Sequence, residues 1–141
     1  MSFTESFLIT CFVCHFVADF LLQSRDMATR KSSELSVLFK HLCVIMWVPV
    51  MVYVLSICLM IAPLSIFMYK PILGMIVVNA AIHGVIDWNI WKMYKASVKS
   101  RFPDATADYK YWEDHWFYAT IGLDQLLHAL TIIVLFFLFF C

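Results

Sequence analysis

The stretch PILGMIVVNAAIHGVIDWNIW, Pro71 to Trp91, decides the fold class, because it is membrane-length and apolar yet carries His83 and Asp87 inside it. A helix crossing a bilayer needs about 20 predominantly apolar residues. Spacing of i, i+4 puts both side chains on one face of that helix, and ionisable groups in hydrocarbon are costly enough that they usually mark function. Two more pairs repeat the pattern: His15 and Asp19 in CHFVAD, and Asp124 and His128 in DQLLH. Three of the five histidines are used this way.

Working outward, the composition agrees with this stretch. The chain is 63% hydrophobic, 17% aromatic and 14% charged, with a mean hydropathy of +0.84, too apolar for a soluble domain of this size. The expected class is therefore an all-α polytopic membrane protein, a four-transmembrane-helix bundle with residues 1–141 forming a single transmembrane domain. Expected spans run over roughly residues 3–23, 41–61, 71–91 and 116–140. Pro49 falls inside the second as a kink site, and the link from Ala62 to Lys70 is short enough for antiparallel neighbours. SRDMATRKSSELSVLFK predicts a loop with a short interfacial helix. The polar segment from Lys92 to His115 breaks at Pro103 and Asp104.

Ten basic and ten acidic residues cancel, which argues against nucleic-acid binding on a general basic surface. Five scattered cysteines do not form a disulfide framework, and the N-terminal MSFTESFLIT lacks a basic n-region, so it reads as a retained span. Arg25, Arg30, Lys31 and Lys40 follow the first span, and Lys92, Lys95, Lys99, Arg101 and Lys110 follow the third; only Lys70 lies on the other side. The positive-inside rule then makes both charged loops cytoplasmic and both termini external. All three pairs, together with His41 at the start of the second span, fall at one depth in the cytoplasmic half, within about 20 Å of that surface.

Imidazole and carboxylate together suit a divalent transition metal, zinc first among them, and facing helices of a bundle are where such ligands converge. The metal candidates are His15, His41, His83, Asp87, Asp124 and His128, enough for one or two ions. Asp19 and Asp124 are the candidate catalytic carboxylates, for general-base work or bridging. Gln23 and Gln125 suit hydrogen bonds to the ligands, and Lys31 and Lys92 are the cations placed to hold an acidic lipid headgroup. A single membrane pair is more often an interhelical hydrogen bond than a ligand set; three pairs plus His41 at one depth shift the balance to metal. Cys11 and Cys14 read as inert small thiols, His115 as a solvated loop residue, and the terminal tryptophans and tyrosines as interfacial anchors.

HFVADFLLQ, then RK and KH, then NAAIHGVID, then GLDQLLHAL together resemble a family of small bacterial and bacteriophage integral membrane proteins classed as a domain of unknown function. The matching positions are His15, Asp19, Phe20, Gln23, Lys31, His41, His83, Asp87, Asp124, Gln125 and His128; the lysine expected soon after the third-span motif comes only at Lys92, after WNIW. The resemblance implies a bacterial inner membrane and no particular reaction. In site type alone, the layer is similar to that of intramembrane hydrolases of the ceramidase and receptor-like superfamily, whose folds and motif order differ. The expectation is a metal-dependent hydrolase acting on a membrane lipid or lipid-linked substrate at the cytoplasmic leaflet. The alternatives are a metal or proton carrier, or a phage factor binding a host membrane protein; a homo-oligomer is compatible with each.

Overall fold

A computed structural model describes residues 3–58, 68–103 and 109–140, and every regular element among them is helical. Helix α1 (Phe3–Phe16) continues without a break into a π-helical turn (Val17–Leu21); a short α2 (Arg25–Arg30) follows, then α3 (Leu35–Cys58), α4 (Tyr69–Arg101), a 3-10 turn (Tyr111–Glu113) and α5 (His115–Phe140). Three of these, α3, α4 and α5, are long and apolar enough to cross a membrane. The link from Ala62 to Lys70 lies largely outside the described residues, as do Asp104 and the expected end of the second span at Ile61.

Local chemistry sets the boundaries. Ser24 caps α2, its Oγ accepting from the Met27 amide at 3.2 Å, and Arg30 pairs with Asp26 one turn back on the exposed side. Helix α3 begins at Leu35, six residues ahead of His41, so that histidine sits well inside the helix rather than in its first turn. Pro49 is accommodated within α3 without ending it. The run expected as loop from Lys92 is helical through Arg101, because KMYKASVKSR contains no Gly or Pro and the first breaker is Pro103.

Each long helix buries one stripe. On α4 it is Ile72, Met75, Ala80, His83, Gly84 and Asp87; on α5 it is Asp124, His128, Ile132, Leu135 and Phe136; on α3 it is Val37, Leu38, His41 and Ile45. Recurrence at three and four residues makes these the inward faces. Polar and apolar members share the stripe but not the depth. Met75, Ile132, Leu135 and Phe136 form an apolar cluster with Phe7, Leu8 and Phe12 against it, while Ala18, Ile45 and Ala80 pack nearer the ionisable layer. Phe7 meets Phe140 at 4.9 Å while His15 meets His128 at 5.0 Å, so α1 runs antiparallel to α5. Gly74 lies against Phe139 and His83 against His128, giving α4 and α5 the same relation.

Candidate metal centre

The π-helical turn positions Asp19. Leu22 donates its amide to the Val17 carbonyl at 3.0 Å, five residues back, which widens the helix by one residue just where the carboxylate must turn inward. Gln23 holds the same turn from below, its Nε2 donating to the Asp19 carbonyl at 2.6 Å. From the other elements come His41 on α3, His83 and Asp87 on α4, and Asp124 and His128 on α5, all between 0% and 3% exposed together with Asp19.

Four atoms converge most closely: Asp19 Oδ1, His41 Nε2, His83 Nε2 and Asp87 Oδ2. The two imidazole nitrogens are 3.0 Å apart; His83 lies 3.1 Å and His41 3.2 Å from Asp87, and Asp19 lies 3.2 Å from His41 and 3.9 Å from His83. A tetrahedral Zn²⁺ with bonds of about 2.0–2.1 Å spaces its ligand atoms about 3.3–3.4 Å apart. The set therefore has the size of a metal's coordination tetrahedron. Neither Asp87 oxygen nor His128 Nε2 makes a directed hydrogen bond, although all three are buried. Buried polar atoms are rarely left this way; here their neighbours are other ionisable groups, Lys31 at 2.8 Å from Asp87 Oδ1, the His83 and His41 rings at 3.1 and 3.2 Å from Oδ2, and Asp124 at 3.6 Å from His128. These buried groups could hold a metal ion.

A second group of three, Asp19, Asp124 and His128, adjoins the first and shares Asp19 with it. His128 Nε2 is 3.6 Å from Asp124 Oδ1 and 3.7 Å from Asp87 Oδ1, and its ring stacks on His83 at 3.9 Å. His15 stands outside both groups: its Nε2 is 3.3 Å from Gln125 Oε1, and 3.9 Å from Asp19 Oδ2. Gln125 in turn donates to Asp19 Oδ2 at 2.9 Å and to Asp124 Oδ2 at 3.3 Å. Cys11 and Cys14 belong to neither group; Cys11 packs on the apolar cluster.

Lys31 departs most from its expected use. It is 3% exposed, with Nζ 2.8 Å from Asp87 Oδ1 and 3.4 Å from Asp19 Oδ1, so it points down into the carboxylates instead of outward to a headgroup. Burial by itself would push the ammonium down; the charges of Asp87 and Asp19 outweigh it and hold Lys31 above the ordinary lysine range. Lys92 lies on the exposed side of α4, over the Trp88 ring at 5.6 Å, away from these groups. His115 is exposed at the start of α5.

Two contributors carry no motif. Lys95, two turns beyond Asp87 on α4, donates to the Thr29 carbonyl at 2.7 Å and to Ser32 Oγ at 2.8 Å, which pins the loop that delivers Lys31. The only sequence signal is its i+8 position on the Asp87 face. Asp114 gathers Arg101 at 2.8 Å, Tyr109 at 3.0 Å, Tyr94 at 3.2 Å and the Trp116 amide at 3.0 Å. Between these features a groove of about 250 Å³ is lined by Trp91, Tyr94, Lys95, Tyr109, Tyr111 and Phe117 among others.

Membrane-length helices around a buried layer of imidazoles and carboxylates define the class: an all-helical chain with a candidate metal centre. The chain belongs to the family DUF3307, described as a protein of unknown function, whose model matches residues 7–141. No curated protein and no solved structure matches it.

Proposed function

We propose that this is a four-span inner-membrane metalloprotein, α1 and its π turn supplying the fourth span, which hydrolyses a lipid or lipid-linked substrate at the cytoplasmic leaflet. The observation that carries the reading is the coexistence of a complete ligand set (Asp19, His41, His83 and Asp87) with an adjacent His128–Asp124 pair that the set does not consume. A divalent metal held by these four residues would supply Lewis acidity and, by expanding to a fifth position, a water activated near neutral pH. The His128–Asp124 pair, 3.6 Å apart, is placed to take and return the proton that such a reaction moves. Distribution of basic residues supports the orientation, with both charged loops and α2 at the cytoplasmic surface. The groove beyond Trp91 continues the Asp87 face of α4 towards that surface and suits a headgroup.

Met75, Ile132, Leu135 and Phe136 close the opposite end with apolar side chains, which argues against a carrier with a polar path through both leaflets. The enclosure of His41 and Asp87, each 0% exposed, favours one second reading, a metal that only ties the helices together. Metal content of the detergent-purified chain and turnover on a panel of phospholipids and isoprenoid-linked lipids separate these. The expected result is close to one transition-metal ion per chain and a turnover that His83→Ala and chelation both abolish. Absence of stoichiometric metal overturns the centre itself; bound metal with no turnover, and loss of folding on chelation, leaves the tying role.

A further inference from the structure

The proposed metal reading leaves open how many ions the layer holds, and on that reading the geometry points to Lys31 as the residue that limits it to one. We infer that the Lys31 ammonium occupies the electrostatic place of a second divalent cation, and that the neighbouring group Asp19, Asp124 and His128 is a latent second metal site kept empty by it.

Position gives the first argument. Lys31 Nζ lies 2.8 Å from Asp87 Oδ1 and 3.4 Å from Asp19 Oδ1, bridging two carboxylates as a metal ion does. It reaches them from the loop after α2, where Lys95 fastens the next residue, Ser32, through a 2.8 Å hydrogen bond. Lys31 and Ser32 are both buried, so the ammonium is built into the layer and is not a surface charge that folds over it.

Charge gives the second. Asp19, Asp87 and Asp124 carry three formal negative charges, Lys31 returns one, and the imidazoles count as neutral. One divalent cation closes that balance. Two divalent cations would leave a net charge of plus two inside an enclosed apolar bundle, where uncompensated charge is costly. Without Lys31 the same two cations leave plus one, which a single small anion neutralises. The ligands for the second ion are already present: Asp19, Asp124 and His128 each offer an atom, and all lie within 4.8 Å of one another.

The test is metal stoichiometry, which does not depend on knowing the substrate. The full chain in detergent is equilibrated with excess Zn²⁺, freed of unbound metal and assayed for zinc per chain. Wild type is expected to hold one, Lys31→Arg one, Lys31→Met two, and Lys31→Met combined with Asp124→Asn one again. A Lys31→Met protein that stays at one, or a wild type that takes two, overturns the inference while leaving the metal centre standing. Zero in every protein overturns the metal reading beneath it. Should Lys31→Met not fold, Co²⁺ loading of the wild type decides alone: magnetically isolated Co²⁺ at every loading is expected, and a spin-coupled pair at saturation refutes the limit.

Discussion

Asp19 presents its two carboxylate oxygens to different neighbours. Oδ1 faces His41 and Lys31, while Oδ2 accepts from Gln125, which also donates to Asp124 and meets His15 through its carbonyl oxygen. One amide thus orients two acids and one imidazole. Replacing Gln125 by Leu should weaken metal binding by about 10–100-fold, the usual cost of losing a group that aims a ligand. His15→Ala, which removes a ring outside both ligand groups, should change affinity much less. Competition against a chromophoric chelator measures both, and equal losses would put His15 among the ligands. The pairs at i, i+4 were legible because helical periodicity alone puts His83 with Asp87 and Asp124 with His128. The destination of Lys31 was not, since a loop cation's direction is set by what the loop is tied to, here Lys95.

The elements differ from their sequence expectation where charge hides helicity. Hydropathy drops at Lys92, yet α4 runs on to Arg101, and this extension carries Lys95, which ties down the loop that delivers Lys31. At its far end Asp114 precedes the first residue of α5 and accepts from Trp116, the position and bond of a helix N-cap. Asp114→Ala should cost about 1 kcal/mol from the lost cap, with the tether to Arg101 lost in addition. Its pH dependence has a defined sign. Arg101 holds the Asp114 carboxyl well below the usual carboxylate range, so its stabilisation is present above an unfolded value of about 3.9 and is lost as pH falls through the lower folded value. Asp114→Asn should therefore flatten the acid limb of a thermal-stability profile; an unchanged limb would remove Asp114 from the acid response. Helix contact makes a separate demand at Gly84, where an added Cβ would lie 2.9 Å from Leu42 Cδ1. Alanine needs only a swing of that methyl, whereas Gly84→Val should cost about 1–3 kcal/mol by overpacking, read as a lowered melting midpoint. Indifference to valine would mean that α3 and α4 are not held this closely.

Across the whole molecule, candidate ligands from the π turn, α3, α4 and α5 meet although their positions run from 19 to 128. Sequence could indicate this only through depth: the pairs sit at similar distances from charged loops, which places them in one layer without saying which atoms touch. Chelation should accordingly act on the entire fold, lowering the melting temperature by at least about 5 °C, because a ligand that binds only the native state stabilises it by mass action. A melting curve indifferent to chelator, on protein shown to lose its metal, would confine the ion to a local role. No composition or periodicity announced the π turn at Val17–Leu21, and it has a consequence for how the chain can tolerate changes of length. A π turn holds one residue more than the α-helix it interrupts, so deleting Phe20 would restore regular winding, keep the flanking helix in register and preserve helical content, while removing the local bulge that turns Asp19 inward. A deletion inside this turn is thus one the helix can absorb without breaking and yet one that should weaken the proposed centre, read as unchanged circular dichroism with lowered metal content.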